Sequence, residues 1–350
     1  MRRLTSLVPA LIATLCAGTA SAQMKAHVIN VGQAESILLE FTHAAVLVDA
    51  GGEVTGDDRD RDHLLGYLDA FFARRADLGR TLHTVIVSHP HIDHTRHLNR
   101  VFERFAVKNF VDGGDLAGSG FPQLRTARRN AGEKGINYLA VRDSGITRDG
   151  FQPPFLAELA ASSGVDLRFL GGARPECEDG NNGSLVLLVT YREATFLLPG
   201  DSEDEDPKCT PQIRNVLARY DNGRLDVDVY KVSHHGSHNG TSVDFLKAMS
   251  PEIAVISAGV HQTQRPGNFH GFQFGHPREA AVAMIEAATT GTRPHFTAWT
   301  MSGARQLLAD RAIDKAIYCT CWDGDIVIEV DETGTKFDVR TTPVPAPSPN

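Results

Sequence analysis

Residues 86–98, IVSHPHIDHTRHL, place His89, His91, Asp93, His94 and His97 directly behind an apolar run. In an extended chain His89 and His91, two apart, project the same way and can grip one cation. Asp93 and His94 fall where a turn begins, so they can address a second ion beside the first. The donors are imidazoles and carboxylates without a thiolate, a set that suits Zn²⁺, Mn²⁺ or Fe. A histidine-rich surface loop would need no strand in front of it, and this spacing follows one.

Further donors stand where other apolar runs stop. TFLLPGDSE ends on Gly200 and Asp201, VYKVSHHGSHNGTS on His234 and His235, and AVLVDAGG on Asp49. Taken singly, each is an ordinary turn or helix cap. Taken together, they put candidate ligands on several strand ends, the edge where α/β proteins build sites.

The elements that must hold these groups alternate. Strands are predicted over 26–30, 36–41, 45–49, 84–88, 109–112 and 136–140, with helices over 63–74, 95–105 and 121–134. The second half repeats the style. A hairpin joins 184–191 to 194–198 through Arg192 and Glu193, followed by strands over 227–232, 253–257, 317–319 and 325–330 and helices over 243–249 and 278–288. The fold class is therefore mixed α/β. No linker or fixed-period repeat interrupts it, so residues 23–340 are expected to form a single domain.

The ends have a different character. Arg2 and Arg3 precede an apolar stretch over 7–17, and Ala20-Ser21-Ala22 offers a small-x-small cleavage pattern, so residues 1–22 are expected to be a signal peptide. That apolar stretch contains Pro9 and is shorter than the ~20 residues a spanning helix needs, so a retained anchor is the weaker alternative. The expected destination is secreted or periplasmic, with no transmembrane segment after the leader is removed. Residues 341–350, TTPVPAPSPN, have the composition of an extended tail. Net charge is −8 and becomes more negative without the two arginines, which argues against a stable, charge-driven nucleic-acid complex. Cys177, Cys209, Cys319 and Cys321 remain, an even count that favours two disulfides in any of three pairings. A thiol metal site at Cys319 and Cys321 is the lesser alternative.

INVGQAES (29–36), SHPHIDH (88–94), NNGSLVLL (181–188), LLPGD (197–201), KVSHHGS (231–237) and FGHP (274–277) together resemble the metallo-β-lactamase superfamily. Within it they are most similar to the branch holding the hydrolase domain of the DNA-uptake protein ComEC and the phosphorylcholine esterases. The resemblance implies a four-layer αβ/βα sandwich with two divalent metal ions in a cleft at one sheet edge. One ion would take His89, His91 and a bridging Asp201; the other would take Asp93, His94, Asp201 and His235. His235 is preferred to His234 because the family's last ligand directly precedes a glycine, which leaves His234 facing substrate. The usual third histidine is replaced by Asn181-Asn182, with Asn182 either behind the ligands or on a metal. Zn²⁺ is the first expectation, and the lost imidazole makes Mn²⁺ a competitor.

The implied reaction is hydrolysis by a metal-bound hydroxide held against Asp201 and oriented by Asp93. His234, Ser184, Ser237 and His276 would bind substrate or protonate the leaving oxyanion, and Asp49 would fix a ligand histidine through its other ring nitrogen. His83, His97 and His238 are read as surface residues. The expected substrate is a phosphodiester, in a small molecule, a nucleic acid or a phosphorylated envelope component. The acidic DSEDEDPK (201–208) disfavours a long polyanion close by. Hydrolysis of a lactone or β-lactam is the rival reaction, and a non-catalytic metal-binding module is the rival class. The chain departs from the family at Thr95-Arg96-His97-Leu98, where Gly-Gly is common, at Asn30 and Glu35 near the first motif, and in a lengthened 259–277 segment.

Overall fold

The computed structural model describes residues 24–52, 63–115, 117–177, 180–220, 222–259 and 271–342. The expected leader, residues 260–270 of the lengthened segment and residues 343–350 of the expected tail lie outside the described residues. The strands of the first half are β1 (Met24–Val28), β2 (Ile37–Glu40), β3 (Ala45–Val48), β4 (Thr81–Ile86), β5 (Ala106–Asp112) and β6 (Asn137–Ala140). Then come β7 (Val165–Gly171), β8 (Val186–Tyr191), β9 (Ala194–Leu198), β10 (Val229–Lys231) and β11 (Ile253–Ile256). The last are β12 (Thr292–Gly303), β13 (Gln306–Lys315), β14 (Ile317–Cys319), β15 (Ile326–Val330) and β16 (Phe337–Thr341). Thr341 therefore closes a strand and does not open the tail.

Two sheets carry the fold. One has eight strands in the order β16-β15-β1-β2-β3-β4-β5-β6, the other six in the order β14-β11-β10-β9-β8-β7. Alternation along each strand stacks them, because successive side chains leave opposite faces. Ile37, Leu39, Val46 and Val48 join Leu187, Val189, Phe196 and Leu198 in one buried cluster between the sheets. Leu38, Ala45 and Leu47 point the other way and pack with Leu64, Leu68 and Phe72 of the helix His63–Arg74. On the second sheet Val186, Leu188, Leu197 and Tyr230 face outward to Ile213, Phe245, Val282 and Ile285 from the helices Gln212–Arg219, Val243–Met249 and Glu279–Ala288. The result is the helix–sheet–sheet–helix sandwich that the motifs imply.

Several elements differ from expectation. The helix expected over 95–105 is split into a single turn, Ile92–Thr95, and the helix Leu98–Arg104. His97 sits at the break because its N–H goes to the Ala50 carbonyl, 2.8 Å away, and not back along a helix. The helices Pro154–Ser163 and Gln212–Arg219 and the separate hairpin of β12 and β13 were not anticipated. Two disulfides form, Cys177–Cys209 and Cys319–Cys321, so the paired thiols at 319 and 321 are not free to bind metal. Among the described residues no helix is long and apolar enough to cross a membrane.

Candidate metal centre

Strands β3, β4 and β5 run parallel, so the residues following β3 and β4 emerge at the same edge of the first sheet. There the chain carries Asp49, Ser88, His89, Asp93 and His94. Strands β9 and β10 are also parallel and deliver Asp201 and His235 from the second sheet. Tight turns aim these groups. Gly200 has φ 59°, where a side chain is disfavoured, and Asp49, His234 and His235 adopt φ of 59°, 48° and 53° despite carrying Cβ atoms. Such conformations cost on the order of 1–3 kcal/mol each and persist only where the surroundings impose them.

Gly51 is required for a different reason. A Cβ at this position would lie 1.8 Å from the Asp93 carbonyl oxygen and 2.5 Å from that of Glu35. Gly51→Ala is therefore expected to force apart the turns that carry Asp93 and Glu35, destabilising the protein by about 1–3 kcal/mol or more. Thermal unfolding of the variant, with divalent-ion binding measured alongside, checks this.

The groups converge closely. Asp201 Oδ2 lies 3.2 Å from His94 Nε2, 3.3 Å from His235 Nε2 and 3.8 Å from His89 Nε2. Asp93 Oδ2 is 3.3 Å from His235 Nε2 and 4.0 Å from His94 Nε2. Ligand atoms of Asp93, His94, Asp201 and His235 all fall within 4.8 Å of one another. His91 is half-buried and joins through its ring, 4.6 Å from that of His89 between centroids.

The outer nitrogens of these rings are already engaged. His94 Nδ1 donates to Asp49 Oδ2 at 2.7 Å, and His235 Nδ1 donates to the Ser257 carbonyl at 2.7 Å. Ser88 Oγ, which donates to Asp49 Oδ2, accepts from His89 Nδ1 at 3.1 Å. Protons placed on the three Nδ1 atoms leave each Nε2 with a lone pair turned inward. Those three Nε2 atoms and Asp201 Oδ1 are buried and make no hydrogen bond. A cation in their midst would satisfy them, so the residues present fit the divalent metals that the motifs imply.

Charge tells the same story. Burial opposes protonation of His94, but Asp201, Asp49 and Asp93 prevail and hold its imidazole well above the usual range. His235 is raised to about 9, burial being outweighed by Asp201 and Asp93. His89, dominated by burial and by its neighbours His94 and His91, is pushed well below the ordinary value. Burial would raise the Asp201 carboxyl, yet His235 and His94 hold it well below the carboxylate range. The cluster thus attracts positive charge, which a metal ion would supply in place of protons.

Other expected site residues are placed differently. His276 stacks on His235, 6.1 Å between centroids, and its Nδ1 meets Gln33 Nε2 at 3.0 Å. His234 keeps part of its ring in solvent and pairs through Nδ1 with Glu203 at 3.1 Å. Ser184 is fully buried and accepts the Asp201 N–H at 3.1 Å, so it fixes the Asp201 backbone. Ser237 is 4% exposed and donates to Asn239 at 2.6 Å. Asn182 turns to the segment that follows Asp201. Its Oδ1 accepts the N–H groups of Glu203 and Gln212, while its Nδ2 donates to Glu203 and Asp206, so it fastens the 203–212 segment. His83 is half-buried and His238 exposed, but His97 is only 4% exposed and so is no surface histidine. Thr95 and Arg96, where smaller residues are usual in the family, turn to the backbone at His91 and Gly52.

The metallo-beta-lactamase superfamily model matches residues 29–261. The chain belongs to this superfamily. Its curated relatives include ComE operon protein 3 of Bacillus subtilis, 24% identical over 281 residues that cover 76% of this chain and 31% of the relative. Competence protein ComA of Neisseria gonorrhoeae is 25% identical over 258 residues, covering 74% of this chain and 29% of that one. The chain thus spans less than a third of the length of these relatives. Among solved structures, the metallo-beta-lactamase fold protein YhfI from Bacillus subtilis aligns with TM-score 0.44 and 13% identity, covering 77% of this chain and 94% of that chain. Members of the superfamily are generally metal-dependent hydrolases, and this member keeps a cluster suited to metal.

Proposed function

We propose that this protein is an exported phosphodiesterase working with two divalent ions. The observation that carries the reading is the inward convergence of three imidazole lone pairs and two carboxylates from both sheets. His89, His91 and Asp201 would hold one ion, and Asp93, His94, Asp201 and His235 the other. The donor set suits Zn²⁺, with Mn²⁺ the competitor because of the share of carboxylate oxygens. When bound, such a pair supplies Lewis acidity toward a phosphoryl oxygen and acidifies water.

The chain's own groups then have distinct tasks. Asp201 is held rigid through its backbone by Ser184. Asp49 and the Ser257 carbonyl fix the orientation of His94 and His235. His234, partly in solvent and tied to Glu203, is suited to meet the leaving oxygen, with His276 beside it at 5.6 Å between ring centroids. Competence proteins among the relatives favour a nucleic-acid phosphodiester over a carbonyl substrate. Two disulfides favour an oxidising compartment, in keeping with the leader-like residues 1–22.

Metal content of the purified chain, together with turnover of a chromogenic phosphodiester, plasmid DNA and a chromogenic cephalosporin, tests the proposal. Phosphodiester turnover that disappears with the metal is expected. Turnover of the cephalosporin alone would favour the carbonyl rival, and bound metal without any turnover would favour a binding module.

A further inference from the structure

We propose that Lys231, pinned by Glu35, is the positioning residue for Asp201, and that this buried pair sets how tightly the centre holds its divalent ions. The inference rests on the metal-centre reading above and adds two residues to it.

Lys231 ends β10 in an apolar strand and is 1% exposed; Glu35, in the loop between β1 and β2, is 0% exposed. The Lys231 ammonium contacts Glu35 Oε2 directly. It also donates to the Gly200 carbonyl at 3.2 Å, the residue whose turn presents Asp201. Its Nζ lies 3.9 Å from Asp201 Oδ1. The two oxygens of Asp201 therefore have separate surroundings: Oδ2 faces the imidazoles, and Oδ1 faces the ammonium.

Glu35 closes the connection on the other side. Its N–H donates to the Asp93 carbonyl at 3.1 Å, and its own carbonyl accepts from Gly51 at 2.9 Å. Through one ion pair, the turn that carries Asp93 on the first sheet is tied to the turn that carries Asp201 on the second. The spacing of the two carboxylates that share the ions is thereby fixed before any ion arrives.

Stability alone does not explain such a pair. Replacing a buried ion pair by apolar side chains of similar size is often neutral or stabilising, because neither charge then has to leave water. A lysine and a glutamate placed together here, against a candidate metal bridge, point to geometry at that bridge.

The test is the double variant Glu35→Met/Lys231→Met in the full chain. It removes opposite charges together, so a changed affinity reports on the position of Asp201 and not on net charge. Thermal unfolding without metal is expected to stay near that of the wild type. Affinity for Zn²⁺ and Mn²⁺, read by chelator competition, is expected to fall about 10- to 100-fold, the usual effect of losing a partner behind a ligand. The visible spectrum of the Co²⁺-loaded variant is expected to shift with the altered carboxylate. Unchanged affinity and an unchanged Co²⁺ spectrum would overturn the proposal. Glu35→Gln, a smaller change, is the second variant should the first not fold. A measurable loss of affinity is expected there too, and none would equally overturn the proposal. A wild-type chain that binds no divalent ion would instead remove the metal-centre reading itself.

Discussion

Asp201→Ala is expected to empty the centre and remove hydrolysis from a chain that still folds, though less stably. Asp201 Oδ2 stands close to all three inward-facing imidazoles, at 3.2, 3.3 and 3.8 Å, the position a carboxylate shared by two cations would take. Metal Lewis acidity contributes several kcal/mol to a hydrolytic transition state. At about 1.4 kcal/mol per tenfold, its loss lowers turnover by about 10³-fold or more. The unloaded variant is expected to unfold earlier than the wild type, because the Asp201 carboxyl, held against burial well below the carboxylate range by His235 and His94, stabilises the folded state, and its removal leaves those two buried imidazoles without their strongest acidic partner. Elemental analysis, phosphodiester turnover and thermal unfolding decide the matter together. Retention of two ions per chain would contradict the bridging role.

Asp49 is a second residue on which both the fold and the metal depend. Its carboxylate accepts from the Ser88 N–H at 2.7 Å, from Ser88 Oγ at 2.7 Å and from His94 Nδ1 at 2.7 Å, with Asp49 and His94 at 0% exposure and Ser88 at 2%. Asp49→Ala leaves three buried donors without an acceptor and is expected to cost about 3–5 kcal/mol, as breaking a buried pair does. Asp49→Asn keeps the shape but presents an amide N–H to groups that already donate. The chain should then fold with His94 in the wrong tautomer or orientation, and divalent affinity should drop about 10- to 100-fold. Urea unfolding separates the two variants, and chelator competition on Asp49→Asn reads the second effect. Wild-type affinity in Asp49→Asn would show that the carboxylate does not orient the ring.

How much of this was legible beforehand depended on range. Strand alternation and the glycines beside the candidate ligands, Gly51 after Asp49, Gly200 before Asp201 and Gly236 after His235, are local signals, and they placed the sheets and the edge where the cluster forms. The helix Phe121–Lys134 follows the expected bounds, with proline in its first turn and Gly135 at φ 67° closing it. Pro154 and Gly164 mark the helix Pro154–Ser163 by the same rule, proline entering and glycine leaving, although no helix is predicted there from the apolar pattern. Lys231 inside the apolar VYKVS was the visible sign of the Glu35 pair. Its partner lies nearly two hundred residues away in sequence, and no periodicity connects them. The hydrogen bonds of Ser184, Ser237 and Asn182 were not legible, because sequence shows a polar side chain but not which group takes it.

The sharing of donors between the two sheets has a consequence for assembly. The amino-terminal half supplies the imidazoles of residues 89 and 94, and the carboxyl-terminal half supplies residues 201 and 235. A nascent or clipped chain owns one jaw of the vice without the other. Hydrolytic competence would thus arrive together with closure of the sandwich, and bound cations would act as a rivet that rewards only the finished molecule.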